Sequence, residues 1–267
     1  MTGQPFVHLV GSIPLEDAES VFRKLGDKLE GCLHTIPDGE TGRRKRWISF
    51  INDQLKENPG LEVDPDLPPF QFKQYDGKVV FEIERLRYKS GVDPATVKFA
   101  TGYADDALRN YETFKRLRDE GAIPAGVKYQ ICMATPLAIA YNFISMSAYG
   151  DFIPAYTQHL KDEVMRIADA LPHDDIAYQW DVCQEVLMWE DYYDQPPHHE
   201  QQIMAVLGEI GDFVPTTIDL GYHLCYGSPA DEHMVIPEDM SVLVAIANGI
   251  GGSVSRPIKY IHMPVIK

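Results

Sequence analysis

The sequence predicts an α/β fold in which a parallel β-sheet is connected by helical crossovers. Three observations support this prediction. Short β-favouring runs alternate with longer stretches of helical spacing, so that strand, loop and helix recur six times. The chain has 267 residues, of which 45% are hydrophobic, and can bury a full core. Polar residues able to do chemistry follow the ends of the predicted strands, as in parallel barrels. The alternation alone leaves an open doubly wound sheet and a closed barrel as alternatives.

Six strands are predicted from short β-favouring runs that are followed by turns or loops. They are Phe6–Leu9, Cys32–Ile36, Val127–Met133, Ile176–Val182, Thr217–Gly227 and Tyr260–Val265. The segments between them show the apolar spacing of helices. The predicted helices are Leu15–Leu29, Arg43–Leu55, Asp105–Glu120, Tyr141–Met146, Phe152–Leu171, Glu200–Phe213 and Pro237–Ile250. The last of them begins at a proline and is followed by a glycine, the expected capping asymmetry.

One segment, Asn58–Thr101, interrupts this alternation. It contains several Pro and Gly turn signals and alternating stretches such as Val79–Arg87, so the segment as a whole is predicted to contain a hairpin. An insertion of this length after a strand–helix unit often forms a lid, and the alternative is that it only packs on the surface. We therefore interpret residues 1–267 as a single domain with an insertion at about 58–101.

The charge of the chain restricts its partners. A formal net charge of −16 disfavours nucleic acid and anionic membrane, since both bind basic surfaces. No apolar run reaches the roughly 18 residues that a membrane helix needs. The four cysteines are scattered and show no disulfide spacing. We expect a cytoplasmic protein that acts on a small molecule.

A basic run, Arg43-Arg-Lys-Arg46, begins the second predicted helix. This position is unusual, because cations are disfavoured at a helix N-terminus. The run is either a solvated surface or an anion-binding edge of a functional site.

His223 and Cys225 lie two residues apart in the strand predicted at Thr217–Gly227, so they share one face. An imidazole and a thiolate on one face can converge on a metal ion, and zinc accepts this mixed ligation. The alternative is a satisfied core histidine beside a cysteine that packs as a small hydrophobe.

Candidate functional residues recur at the C-terminal ends of the predicted strands, where parallel barrels build active sites. They are Ser12, Asp38, Glu40, Asp181, Glu185, His223, Cys225 and His262. Ser12 and Asp38 are also common turn formers, and Glu185 can cap or solvate a helix. Asp181 is more informative, because a carboxylate among Tyr, Gln, Trp and Val is costly to bury without a partner.

Five short motifs then carry a resemblance to a known family. They are Val10-Gly-Ser-Ile-Pro, Pro37-Asp-Gly-Glu, Gln179-Trp-Asp, His223-Leu-Cys-Tyr and Tyr260-Ile-His-Met-Pro. The sequence resembles the C-terminal catalytic barrel of cobalamin-independent methionine synthase and its relatives in the superfamily shared with uroporphyrinogen decarboxylase. The resemblance implies a TIM-type (β/α) barrel with a zinc ion that activates a substrate thiol for methyl transfer.

The resemblance also implies roles for individual residues. His223 and Cys225 are the implied zinc ligands. Ser12, Glu40 and Asp181 are implied to hold the amino acid part of the thiol substrate, and we place Glu185 beside Asp181 as a further substrate-binding candidate. His262 is implied to assist proton transfer, with Asp181 as the second catalytic candidate.

The sequence departs from the family pattern in two places. Val244–Asn248, where the family supplies a glutamate ligand, contains no acid. The chain stops at Lys267, soon after its sixth strand, without the family's further cysteine. The last two βα units of an eightfold barrel are therefore expected to be missing. Either the chain is a fragment, or a second chain or an oligomer completes the barrel, or the fold closes differently.

We predict a zinc-dependent transferase that passes a methyl group to a thiol or related nucleophile. A lyase or decarboxylase of the same barrel class is the second hypothesis, with the carboxylates and His262 in acid–base roles. The third is a non-catalytic half-barrel that binds a partner.

Overall fold

The computed structural model describes residues 6–265, in which one parallel sheet is covered by helices. The helices and strands are α1 (Ala18–Lys28), β1 (Thr35–Pro37), α2 (Ser49–Glu57), β2 (Leu61–Val63), β3 (Phe70–Lys73), β4 (Val79–Ile83), β5 (Leu86–Tyr88), α3 (Tyr103–Asp119), β6 (Lys128–Ala134), α4 (Pro136–Phe143), α5 (Tyr149–Ala170), β7 (Ile176–Val182), α6 (Gln184–Trp189), α7 (His199–Phe213), β8 (Asp219–Leu224), α8 (Ser241–Ser253) and β9 (Tyr260–His262).

The main sheet has five parallel strands in the order β1-β6-β7-β8-β9 and is curled into a half-barrel. β7 is buried at every position and β6 at all but its first, as expected for parallel strands that helices cover. The predicted α/β class with a parallel sheet is therefore confirmed. Within residues 6–265, the sheet has fewer strands than the eight of a complete TIM barrel.

The first predicted strand, Phe6–Leu9, is wrong as a regular strand. Val7 forms only an isolated bridge with Leu33, ahead of β1. Instead of backbone pairing, two buried glutamine side chains of the sheet bind the backbone after Val7. Gln130 donates to the Leu9 carbonyl at 2.8 Å, and Gln179 donates to the Val10 carbonyl at 2.7 Å.

The same N-terminal segment also contacts the far edge of the sheet. The His8 ring centroid lies 4.3 Å from that of Tyr260 and 5.6 Å from that of His262, both on β9. Its Nε2 lies 3.0 Å from the side-chain oxygen of Gln179. The segment therefore contacts residues close to both edges of the half-barrel, next to β1 through Val7 and on β9 through His8.

Most other predicted elements are present with shifted ends. β7 has the predicted bounds, whereas β8 ends at Leu224 and leaves Cys225 just beyond the strand. The helix predicted at Arg43–Leu55 is wrong as one element: a 3₁₀ turn at Gly42–Arg44 precedes α2, and Trp47 between them takes a left-handed φ of 51°. A helix cannot continue through that conformation.

The segment 58–101, predicted as an insertion, contains four short strands. β2 pairs with β5, and β3 pairs with β4, both antiparallel. The hairpin predicted within this segment is present as the β3–β4 pair. The alternating stretch Val79–Arg87 spans β4 and β5, which pair with different partners. In the described part of the chain, no helix combines the length and apolar character needed to cross a bilayer.

Candidate active site

The C-terminal ends of three neighbouring strands bring predicted site residues together. In the parallel register, Asp181 on β7 is the partner of His223 on β8, and His223 is the partner of His262 on β9. Cys225 lies two residues after His223 and faces the same side. Three separate sequence motifs therefore meet at one end of the sheet.

A cavity of about 950 Å³ opens at this end of the sheet. Nine of its lining residues bear carboxyl, imidazole, thiol or hydroxyl groups, and six of these form what we call the polar floor: Ser12, Glu40, Asp181, Cys183, His223 and Cys225. Five of the six are residues that the sequence predicts; Cys183 is the addition. The volume is within the range of sites for small molecules.

The other sides of the cavity are chemically different. Four aromatic side chains form what we call the aromatic wall: Trp47, Phe72, Phe81 and Phe143. Phe72 and Phe81 belong to the β3–β4 hairpin, so residues of the segment 58–101 line the cavity. That this segment acts as a lid stays a prediction. The hairpin is tied to the loop after β8, because Gln74 donates to the Pro229 carbonyl at 3.0 Å. Lys45 and Arg46 also line the cavity and form its basic rim.

The two carboxyl groups of the polar floor interact with one another. Burial raises the pKa of Asp181 to about 8, and the nearby Glu40 carboxylate adds to the shift, against a hydrogen bond from Gln179 at 2.7 Å. Burial likewise raises the pKa of Glu40, although Arg44 and the Ser12 hydroxyl oppose it. At neutral pH the pair therefore retains a proton that it can donate.

Glu40 lies beside a buried cation, Arg44, which belongs to the basic run whose role the sequence did not decide. The Arg44 guanidinium lies 2.9 Å from Asp38 and 3.6 Å from Glu40, and only 5% of the residue is exposed. Asp38 also accepts hydrogen bonds from Asn110 and Tyr129, outside the cavity lining. The residues of the basic run therefore have different roles. Arg44 forms buried ion pairs that support Glu40 of the polar floor, and Lys45 and Arg46 form the basic rim.

The thiol and imidazole groups form a second interacting set. A hydrogen bond from the Cys183 thiol holds the pKa of Cys225 well below its usual value; burial opposes this shift, and His223 and the Gly227 amide reinforce it. Burial acts to lower the pKa of His223, but its contact with Cys225 and the nearby acids raise it. The pair favours a thiolate beside an imidazolium.

His262 lies behind this pair. Its Nδ1 is 2.9 Å from Nδ1 of His223. Burial, with repulsion from His223 and His8, lowers the pKa of His262 to about 4, so at neutral pH it is an uncharged proton acceptor. His262 does not itself line the cavity, and it reaches the polar floor through His223.

Glu185 lies apart from the cavity. Its side chain is fully buried at the start of α6 and accepts a hydrogen bond from Thr135. Burial raises its pKa to about 7. The structure gives Glu185 no contact with the cavity, and its substrate-binding role stays a prediction.

Backbone strain is concentrated at the cavity. Five residues other than glycine have left-handed φ angles within residues 6–265, and three of them line it: Glu40 at 50°, Trp47 at 51° and Ala230 at 56°. Such conformations cost of the order of 1–3 kcal/mol and accumulate at functional sites.

The donor set of the polar floor fits zinc only in part. His223 and Cys225 have suitable donor chemistry, and a catalytic zinc takes three protein ligands. Throughout residues 6–265, no three His, Cys, Asp or Glu side chains are arranged to hold a metal ion. The residues present therefore do not complete a zinc site.

Comparisons with known proteins show a distant likeness in fold. No protein-family model matches the chain, and no curated protein matches it in sequence. A crystal structure from Listeria monocytogenes, of a protein described provisionally as a vitamin-B12 independent methionine synthase, is similar in fold. The sequences are 13% identical, the alignment covers 92% of this chain and 78% of the other, and the TM-score is 0.48. Neither family nor reaction follows from a likeness at this level.

Proposed function

We propose that this chain is an enzyme that acts on a small molecule in the cavity, and that it transfers a methyl group to a thiol or related nucleophile. One observation carries the proposal. Five residues chosen from the sequence, on segments as distant as Ser12 and Cys225, line the same cavity. A protein that only filled its core would not need carboxyl, thiol and imidazole groups at this end of three strands.

The chemistry of the polar floor supports group transfer to a nucleophile. A substrate amine or thiol must lose a proton before it attacks, and His223 with His262 provides a path for that proton. The Asp181–Glu40 pair can hold a cationic amine when ionised, or donate its retained proton to a leaving group. No step is assigned to zinc, because the described donors do not complete its site.

The walls of the cavity indicate the shape of the substrate. The aromatic wall suits an apolar or planar body, and the basic rim suits an anionic group. We propose a substrate with a polar reacting end, an apolar middle and a negatively charged end.

A zinc-dependent form of the reaction stays part of the proposal and is tested by metal binding. With only two described donors, His223 and Cys225, we expect zinc uptake that is weak and reversed by a chelator. Uptake should be lost in both His223→Ala and Cys225→Ser. Failure of the folded wild-type chain to bind zinc would exclude zinc-dependent transfer. Transfer without zinc would then remain, together with the carboxyl-based lyase, which needs only Asp181, Glu40 and His262.

A mass-spectrometric assay separates the remaining alternatives. The purified chain is incubated with small thiols and methyl donors, and separately with small carboxylic acids. Methylated thiol that disappears with Asp181→Ala supports transfer, and loss of carbon dioxide from an acid supports the lyase. A chain that binds ligands in the cavity but turns over nothing supports the binding protein.

A further inference from the structure

Two cysteines from different strands meet at the polar floor. Val182 and Leu224 are the last paired residues of β7 and β8, and Cys183 and Cys225 immediately follow them. The amide of Cys225 donates to the carbonyl of Val182 at 3.2 Å, so the pairing extends past the strand ends. The register therefore places the two cysteines side by side.

Their separation suits a covalent bond. Neighbouring strands lie roughly 4.8 Å apart, and disulfides join Cα atoms at about 4.4–6.8 Å. Both thiols also line the same cavity, so the strand register and the shared lining place them within reach of one another.

A small reagent can reach the pair from the cavity. Both cysteines line it, but Cys225 is half-buried whereas Cys183 is only 3% exposed. The other two cysteines have different surroundings. Cys132 contacts Gln130 and the Val10 carbonyl, and Cys32 precedes β1. Neither of them lines the cavity.

We propose that Cys225 and Cys183 form an oxidisable dithiol, in which a hydroperoxide reacts at Cys225 and Cys183 then closes a disulfide. Cys225 is the first to react because it is the more accessible sulfur. The inference does not depend on the proposed methyl transfer, since it rests on the strand register and on access from the cavity.

The disulfide would form in two steps, in which the hydroperoxide is the oxidant. In the first, the Cys225 sulfur attacks the hydroperoxide: an S–O bond forms, the O–O bond breaks, sulfur loses two electrons, and the peroxide leaves as an alcohol or water. In the second, the Cys183 sulfur attacks the sulfenic acid: the S–S bond forms, the S–O bond breaks, and water leaves with the thiol proton. A reducing thiol reverses the result.

Oxidation would change the cavity as well as the thiols. The disulfide removes the Cys183 proton that now hydrogen bonds to Cys225, and it removes the sulfur partner of His223. The polar floor would lose its only thiols, so the reduced and oxidised forms would differ in any chemistry that uses them.

The test is peptide mapping of the full chain after treatment with hydrogen peroxide. Free thiols should fall from four to two, and a peptide pair joining Cys183 to Cys225 should appear and vanish with dithiothreitol. In Cys183→Ser, Cys225 should instead accumulate as a sulfenic acid that dimedone traps. Cys32→Ser and Cys132→Ser are matched controls and should form the same disulfide.

Two outcomes would overturn the inference. One is oxidation of the folded wild-type chain at Cys32 or Cys132 ahead of Cys225. The other is retention of all four thiols at peroxide levels that oxidise a small-molecule thiol. Because both readouts use the wild-type chain, failure of a variant to fold leaves the test intact.

Discussion

A buried carboxyl group is ionised only where nearby groups stabilise its charge. At Asp181, burial and the Glu40 carboxylate outweigh the opposing effects of His223 and Gln179, so the pKa of Asp181 is raised. Asp181 is 5% exposed, and the negative charge of Glu40 acts on it. Its one close hydrogen-bond donor is the uncharged amide of Gln179. An acid in this environment keeps its proton near neutral pH, which is what a general acid requires.

This environment predicts how Asp181 affects stability. Below about pH 4 the group is protonated in both folded and unfolded chains; above that, only the unfolded chain loses its proton until about pH 8. The stability that Asp181 contributes is therefore full below about pH 4. It decreases as the pH rises from about 4 and is lost once the pH has passed about 8. We expect the free energy of unfolding of wild type, relative to Asp181→Asn, to fall by up to about 1.4 kcal/mol per pH unit in this window. Urea denaturation at pH 5 to 9 measures it, and a constant difference would contradict it.

A second prediction concerns Arg44. Replacing it with Met leaves Asp38 as a buried carboxylate without a cation, which should lower the free energy of unfolding by about 3–5 kcal/mol. Arg46→Met, in the same basic run but exposed, is the control and should change it by less than about 0.5 kcal/mol. Equal urea midpoints for the two variants would show that the buried ion pairs of Arg44 do not stabilise the fold.

At the scale of elements, β8 is shaped by its contact with β9. A Cβ atom added at Gly221 would lie 2.2 Å from Cζ of the Tyr260 ring. The ring is fixed there, since Tyr260 donates to Gln179 at 3.1 Å and packs on His8. Glycine at this position lets β9 pair with β8, which sets His262 beside His223.

Gly221→Ala is therefore predicted to destabilise the fold by about 1–3 kcal/mol through overpacking. Gly251→Ala is the matched control: it lies in α8 with no atom near the added Cβ, and should be neutral or stabilising by up to about 1 kcal/mol. Thermal melts of both variants test this. A Gly221→Ala chain as stable as Gly251→Ala would mean that β9 is not held against β8 as described.

For the molecule as a whole, much of the polar floor could be predicted from local sequence. The buried run at 176–182 predicts β7 with its observed bounds, and the cost of burying Asp181 marks it as unusual. Strand alternation places Cys225 with His223. The same rule, counted on from Asp181, would have found Cys183.

Other features depend on contacts that no local pattern records. The aromatic wall exists because the hairpin at 70–83 reaches the loop near Pro229, far along the chain. The interrupted helix after Arg44 depends on the left-handed Trp47. A second chain that completes the barrel stays a prediction; the contacts of His8 with β9 show that the N-terminal segment bridges the half-barrel's edges within one chain.

The central claim is that side chains from distant segments act as one coupled site, and carboxyl titration by ¹³C NMR tests it most directly. The carboxyl resonance of Asp181 is assigned as the one present in the wild-type spectrum and absent from the spectrum of Asp181→Asn. We predict that it titrates near pH 8 and moves to lower pH in Glu40→Gln, because that change removes a neighbouring negative charge. An Asp181 that titrates near pH 4, unaffected by Glu40→Gln, would show that the two acids do not share a site.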